Sequence, residues 1–257
     1  MSGEFILETR KLTKEFKGFV AVAKVDLKVR RGSIHALIGP NGAGKTTCFN
    51  LLTKFLIPTS GRILFEGTDI TPEKSAAIAR RGVIRSFQIS AVFPHLSVLE
   101  NVRVALQRKL GTSFHFWKSE RSLHALDAQA IELLHQVDLE SYAGIPAVEL
   151  SYGRKRALEI ATTLAMDPKL MLLDEPTQGM GLEDVDRIRK LIKKVSVGRT
   201  VLMVEHNMSV VSSIADTITV LQRGATLAEG PYAEVSKNPL VIEAYMGSAN
   251  VELKGAH

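Results

Sequence analysis

The stretch Gly39-Pro40-Asn41-Gly42-Ala43-Gly44-Lys45-Thr46-Thr47 constrains this chain more than any other, because it reads G-x-x-x-x-G-K-T. Its three glycines let the backbone bend tightly and approach a ligand without Cβ contacts. Successive backbone N–H groups then converge into an anion-binding concavity. Lys45 can place its ammonium on the β- and γ-phosphates of a bound nucleotide. The Thr46 hydroxyl suits Mg²⁺, which takes hard oxygen ligands. Both flanks agree with this reading. Ile34-His35-Ala36-Leu37-Ile38 is short and apolar, like a buried parallel strand. Lys45 to Thr53 reads as a helix, with Phe49 and Leu52 three apart. Strand, loop and helix in that order put the phosphates at a helix N-terminus, where the dipole favours negative charge.

A sequence of 257 residues, 45% of them hydrophobic, holds one large domain or a domain with a subdomain. The formal net charge of +6 suits anionic partners such as a nucleotide or an anionic membrane face. Cys48 stands alone and no metal-spaced Cys/His cluster accompanies it, so a reducing compartment is expected. Met1-Ser2-Gly3-Glu4-Phe5 lacks the basic-then-apolar pattern of a signal peptide. No apolar run approaches membrane-spanning length, so any membrane role is expected to come through a partner.

Taken in order, Phe5 to Leu12 and Val25 to Val29 read as strands, the second with one solvated face. Lys14 to Phe19 between them reads as a loop. Its Phe16 has two open roles, stacking on a base or packing in the core. Pro58 to Gly61 is a turn, Arg62 to Glu66 a strand, and Pro72 to Arg81 a helix that Gly82 ends. Val83 to Gln88 is a strand whose last residue offers an amide oxygen to a metal or a water. From Leu96 to Leu164 no strand signal intervenes. Ser97-Val98-Leu99-Glu100 has capping-box spacing, and Leu123, Leu126, Ala130, Leu134 and Val137 repeat at helical spacing. This region is expected to be a helical insertion. Phe114, His115, Phe116 and Trp117 within it form either a docking patch or a loop packed on the subdomain.

Leu150 to Arg156 opens a further helix. Ser151 is a good N-cap, and Gly153 lets a neighbour approach the first turn. The helix start is either an ordinary cap or a second phosphate-recognition device. Lys169 to Glu175 is an apolar strand ending in two carboxylates, which are costly there unless they meet a cation or a bound water. Asp174 suits a metal shell, and Glu175 can polarise a water for in-line attack. In open α/β sheets ligands sit at that edge. An amphipathic helix marked by Val185, Ile188, Leu191, Ile192 and Val195 follows, then the strand Thr200 to Val204. Glu205-His206-Asn207 puts His206 at the same edge. Two strands, Thr217 to Leu221 and Ala225 to Glu229, and a helix near Leu240 to Tyr245 close the chain.

The order and spacing of these pieces resemble the ATP-binding subunit of ATP-binding-cassette (ABC) transporters over essentially the whole chain. Phe16 matches the adenine-stacking aromatic, Gly39 to Thr46 the Walker A loop, Gln88 the Q-loop, and Leu150-Ser151-Tyr152-Gly153-Arg154 the family signature. Asp174 and Glu175 match Walker B and its catalytic glutamate, and His206 the switch histidine. Two departures stand out: Tyr152 and Arg154 replace a more familiar Gly and Gln, and Gly181 stands where Asp is usual. Arg85-Ser86-Phe87-Gln88, Leu150 to Gly153, Val204-Glu205-His206-Asn207-Met208 and Val241 to Gly247 look most like the branched-chain amino-acid type importers of bacteria.

The resemblance implies an α/β fold: a P-loop NTPase core of RecA type with an antiparallel β subdomain and a helical insertion subdomain. It places the ATP-binding domain at 5–247 (core 5–90 and 165–235, helical subdomain about 91–164) and a short tail at 248–257. It implies ATP and Mg²⁺ as cofactors, with Gly39, Pro40, Asn41, Gly42, Ala43, Gly44, Lys45, Thr46, Thr47 and Phe16 on the nucleotide and Thr46, Gln88 and Asp174 on the metal. It assigns catalysis to Glu175, His206 and Gln88, and gives Ser151 and Gly153 to the nucleotide of a second copy. The implied partners are two transmembrane permease subunits, a second ATPase that is a copy or a paralogue, and, indirectly, a periplasmic binding protein, with no nucleic acid. The implied place is the cytoplasmic face of the bacterial inner membrane. A mechanical ATPase of the same superfamily would be expected to carry coiled-coil arms or two cassettes, and neither stands in the sequence. An exporter cassette, for instance for lipopolysaccharide, shares most motifs, and a silent scaffold would not need Glu175 and His206.

Overall fold

The computed structural model describes residues 3–86, 92–109 and 126–254. β4 (Ile34–Ile38), β8 (Leu170–Asp174) and β9 (Thr200–Val204) are buried at every position, as strands covered on both faces must be. Their side chains alternate between two cores. Leu37, Leu172 and Leu202 belong to one, and Ala36, Met171 and Met203 to the other. The sheet order is β11 (Ala225–Gly230), β10 (Thr217–Gln222), β4, β9, β8, β7 (Val83–Ser86). Every pair from β10 to β7 is parallel, and β11 joins antiparallel. The C-terminal ends of five neighbouring strands therefore share one edge.

A second, antiparallel sheet contains β1 (Phe5–Phe16), β2 (Phe19–Val25), β3 (Lys28–Arg30), β5 (Ser60–Phe65) and β6 (Thr68–Asp69). α1 (Lys45–Leu52) joins it in the first core, where Phe49 and Leu52 meet Leu7 and Phe65. Cys48, also on α1, is fully buried there, and burial pushes its thiol up to about 12. The second core is closed by α3 (Val98–Lys109), α4 (Asp127–Gln136), α5 (Tyr152–Ala165), α6 (Leu182–Val195) and α7 (Met208–Ile214). Shorter α2 (Ser75–Arg80) and α8 (Tyr232–Val235) and the closing α9 (Pro239–Lys254) are the remaining α-helices among the described residues, and two 3-10 turns, Glu140–Tyr142 and Ala147–Glu149, lie between α4 and α5.

The antiparallel subdomain and the helical insertion are both present, and the capping box forms. Ser97 N donates to Glu100 Oε2 at 2.7 Å, and Glu100 N to Ser97 Oγ at 3.2 Å. The stretch Lys14 to Phe19 is not a loop. β1 runs to Phe16 and turns back through Lys17 and Gly18, whose φ angles of 46° and 91° suit a tight two-residue hairpin turn. The expected strand from Val25 breaks after that residue and resumes at Lys28, though its buried and exposed residues alternate as expected. The closing helix is longer than expected and continues to Lys254. Phe114, His115, Phe116, Trp117 and Leu123 lie outside the described residues. Among the described residues no helix is long and apolar enough to cross a membrane.

One polar side chain on the central strand, His35, is paired through one ring nitrogen only, its buried Nδ1 having no hydrogen-bond partner. His35 Nε2 lies 2.8 Å from Thr219 Oγ1, which itself donates to Glu229 Oε2 at 2.7 Å. That chain assigns the proton to Nε2. Burial holds the imidazole down to about 4, against 6.5 for a free histidine. Between those values the unfolded chain binds a proton that the folded chain refuses. The contribution of neutral His35 is therefore complete above pH 6.5 and lost as pH falls toward 4. Urea unfolding is expected to lose on the order of 3 kcal/mol from this group between pH 7 and pH 4. A His35→Gln variant should lose correspondingly less over the same range.

Candidate functional site

The glycine loop leaves β4 at Ile38 and enters α1 at Lys45. The N-cap of α1 is Gly44, in left-handed conformation, and no side chain caps it. First-turn amides and the positive helix end are thus left to an external acceptor. A Cβ on Gly44 would sit 2.5 Å from the Ala21 carbonyl oxygen, so the β1–β2 hairpin is pressed against the loop. Asn41, Gly42 and Thr46 are exposed, Pro40 and Thr47 half-buried, and Gly39 and Ala43 buried. Lys45 is buried and folds back, donating from Nζ to the carbonyls of Gly39 (2.7 Å) and Pro40 (3.0 Å). Desolvation lowers its pKa, while the charges of Glu175 and Asp174 oppose that shift. The ammonium at the end of β4 and the carboxylates at the end of β8 act on one another.

Asp174 is buried and paired. Arg85 Nη2 donates to its Oδ2 at 2.5 Å, and Arg85 Nη1 to Asn50 Oδ1 at 2.6 Å. The guanidinium also lies 5.9 Å from the ring centroids of Phe49 and Phe55. Arg85 was not singled out from the sequence as a site residue. An arginine within an apolar strand is itself the signal, since a buried cation needs a partner.

Glu175 is partly buried and adopts φ 45°, while its N–H donates to Val204 O at 2.9 Å. At the end of the neighbouring strand, β9, Glu205 is fully buried yet satisfied on both oxygens. Oε1 accepts from Thr177 N (3.0 Å) and Thr177 Oγ1 (2.5 Å), and Oε2 from His206 N (2.9 Å) and Asn207 N (3.0 Å). His206 is exposed at the same sheet edge. Asn207 caps α7 through its side chain. Glu205 stood in the sequence only as part of a longer motif, yet it fastens the loop after Glu175 to the loop carrying His206.

Ser151 occupies the N-cap position of α5, but its side chain caps nothing there and it is exposed. Its hydroxyl is presented outward instead. A Cβ on Gly153 would lie 2.5 Å from Asp184 Cγ. The close approach expected at Gly153 is therefore made by a carboxylate of the same chain, in the first turn of α6. The exposed Tyr152 donates from its hydroxyl to Gln178 O at 3.1 Å. Phe16 is 41% exposed and Phe19 67%, so neither packs in the core. Lys14 Nζ lies 5.0 Å from the Phe16 ring centroid. Gln88 lies outside the described residues.

A hard cation fits this donor set. Thr46 offers a hydroxyl beside the cradle, and Asp174, whose Oδ2 is held by Arg85, a carboxylate at the end of β8 on the same sheet edge. Among the described residues no group of three or more His, Cys, Asp or Glu forms a metal cage, so phosphate oxygens would have to complete the shell.

A parallel sheet with an uncapped glycine-loop helix, a facing acidic strand end and a helical insertion defines a nucleotide-binding P-loop ATPase of the cassette type. The chain belongs to the ATP-binding subunits of ABC transporters. The ABC transporter family model matches residues 22–178, and the model for the branched-chain amino acid ATP-binding cassette transporter matches residues 225–250. It is 41% identical over 254 residues to the high-affinity branched-chain amino acid transport ATP-binding protein BraF of Pseudomonas aeruginosa, covering 95% of this chain and 98% of that one. Its fold is similar to the ADP conformation of MJ1267, an ATP-binding cassette of an ABC transporter, with a TM-score of 0.83, 30% identity, and 95% and 100% of the two chains covered. It also resembles the dimeric structure of MJ0796, a bacterial ABC transporter cassette, with a TM-score of 0.72, 26% identity, and 88% and 98% covered.

Replacing Glu205 by Gln keeps its shape but turns one acceptor into a donor facing amide donors. Glu205→Gln is expected to destabilise the fold by about 2–3 kcal/mol in urea unfolding, through buried groups left unpaired.

Proposed function

We propose that two copies of this chain, or this chain and a paralogue, hydrolyse ATP across a head-to-tail interface to power import of branched-chain amino acids or related small polar solutes. One subunit supplies the glycine loop, Lys45, Thr46, Gln88, Asp174, Glu175 and His206, and the other supplies Ser151 and the start of α5. The observation that carries this reading is the buried Lys45 ammonium, held by loop carbonyls within the field of both Asp174 and Glu175. That is the constellation a triphosphate needs at its transferring end. The outward hydroxyl of Ser151, unused by its own helix, supports the second half.

In this reading the glycine-loop amides and Lys45 bind and orient the β- and γ-phosphates. Phe16 stacks on the base, helped by its exposure. Thr46 and Asp174, with Gln88, would hold Mg²⁺, which when bound offsets charge on the phosphate oxygens. Glu175 orients and deprotonates the attacking water, and His206 hydrogen-bonds the γ-phosphate. ATP touching both subunits favours the closed pair, and hydrolysis removes the bridge.

The domain division proposed is an ATP-binding domain at 5–247, with its helical subdomain at about 91–164, and a tail at 248–257. The partners proposed are two membrane-embedded permeases and, through them, a periplasmic binding protein, at the cytoplasmic face of the inner membrane. Similarity to a branched-chain amino acid transport ATP-binding protein over 95% of the chain supports the cargo class.

Glu175→Gln should lower steady-state ATP turnover on the order of 100-fold while nucleotide still binds, and ATP should shift it to a dimer on gel filtration. Wild-type turnover in that variant would contradict the role given to Glu175. With permeases and binding protein reconstituted in vesicles, leucine should stimulate hydrolysis.

A further inference from the structure

Arg156 lies on α5, five positions beyond Ser151, and is almost wholly buried, with Glu159 and Thr163 buried along the same side of the helix. Nothing in its position suggests contact with a nucleotide. Its guanidinium instead gathers three consecutive carbonyls of the turn that carries Glu175. Nη2 donates to Asp174 O (2.8 Å) and Glu175 O (3.2 Å), and Nε to Pro176 O (3.2 Å). The remaining arm, Nη1, donates to Glu159 Oε2 at 2.5 Å, one turn along the same helix. Three successive carbonyls reach one planar fork only if the chain bends sharply, and Glu175 supplies the bend at φ 45°. That conformation is unfavourable for a side chain without help from its surroundings. A fork of donors at fixed angles can provide that help where a point charge cannot.

We infer that Arg156 is the positioning residue for Glu175, and that it makes the start of α5 and the catalytic strand end one mechanical unit. Tyr152, which donates to Gln178 O at 3.1 Å, adds a second tie between the same two segments. The inference rests on the hydrolytic role proposed for Glu175. Its consequence concerns the pair of subunits. Ser151 on α5 meets the nucleotide of the other copy, while Glu175 serves the nucleotide of its own. Phosphate seated against one end of this unit therefore helps aim the carboxylate at the other, and the two sites report to each other through Arg156.

The test uses the full chain with MgATP. Removing Arg156 alone would leave Glu159 buried without its partner, so Arg156→Met is combined with Glu159→Leu. Turnover, KM and affinity for a fluorescent ATP analogue are measured beside urea stability. The folded double variant is expected to lose turnover on the order of 10- to 100-fold. Its KM and nucleotide affinity should stay within about threefold of wild type, because the phosphate cradle is untouched. Turnover within threefold of wild type overturns the proposal, as does a raised KM with turnover retained.

If the double variant does not fold, Arg156→Lys decides. It keeps a cation beside Glu159 but lacks the fork, and wild-type turnover there also overturns the proposal. Glu175→Gln is run in parallel. If Glu175→Gln is inactive and the Arg156 variants turn over normally, only the positioning role falls. If Glu175→Gln turns over normally, the hydrolytic reading itself falls.

Discussion

Strands covered on both faces leave charge only one place to go, which is their ends. β4, β8 and β9 have no exposed position, and their side chains feed two separate cores. Any ionic group placed along them would lose its water with nothing in return. Parallel pairing then aligns the ends, so that the loop holding Lys45, the carboxylates of Asp174 and Glu175, and His206 share one border. The exception supports the rule. Arg85 does lie within a strand of this sheet, and its cation is neutralised by Asp174 and covered by Phe49 and Phe55.

The turn after β8 is held from two sides by buried ions of opposite sign. On its amide side Glu205 receives Thr177 and the loop of His206. On its carbonyl side Arg156 receives Asp174, Glu175 and Pro176. Each ion can be buried because backbone groups, joined by the Glu159 carboxylate at Arg156 and the Thr177 hydroxyl at Glu205, take the place of water. A carboxylate that must meet a water in one orientation gains from such a mount, since small misplacements are costly in phosphoryl transfer.

Much of this was legible in the sequence, for identifiable reasons. The glycine loop carries its own geometry in residue types, and the apolar strands ending in Asp174-Glu175 and Glu205-His206 announce a polar edge. Helical spacing from Leu126 to Val137 marked the insertion. What escaped notice depended on contacts between distant segments. The Lys17-Gly18 turn lacks the Asn or Asp that usually advertises a hairpin, and β2 was missed with it. Arg85 carried its signal in the apolar strand around it, whereas Arg156 and Glu205 look like surface charges in one dimension. Only the packing of α5 and β9 against the end of β8 turns the last two into internal braces. Gly153 stands where a neighbour comes close, and within the chain that neighbour is Asp184.

The solitary thiol has a use that its burial creates. Cys48 sits on the helix behind the glycine loop, with no exposure and with its thiol raised to about 12, so in the closed fold it is neither reachable nor ionised near neutrality. An alkylating reagent can modify it only when that half of the molecule breathes. The chain thus carries a built-in clock for local opening, and the speed at which the sulfur is blocked, with and without nucleotide, would gauge how firmly ligand clamps the loop in front of it.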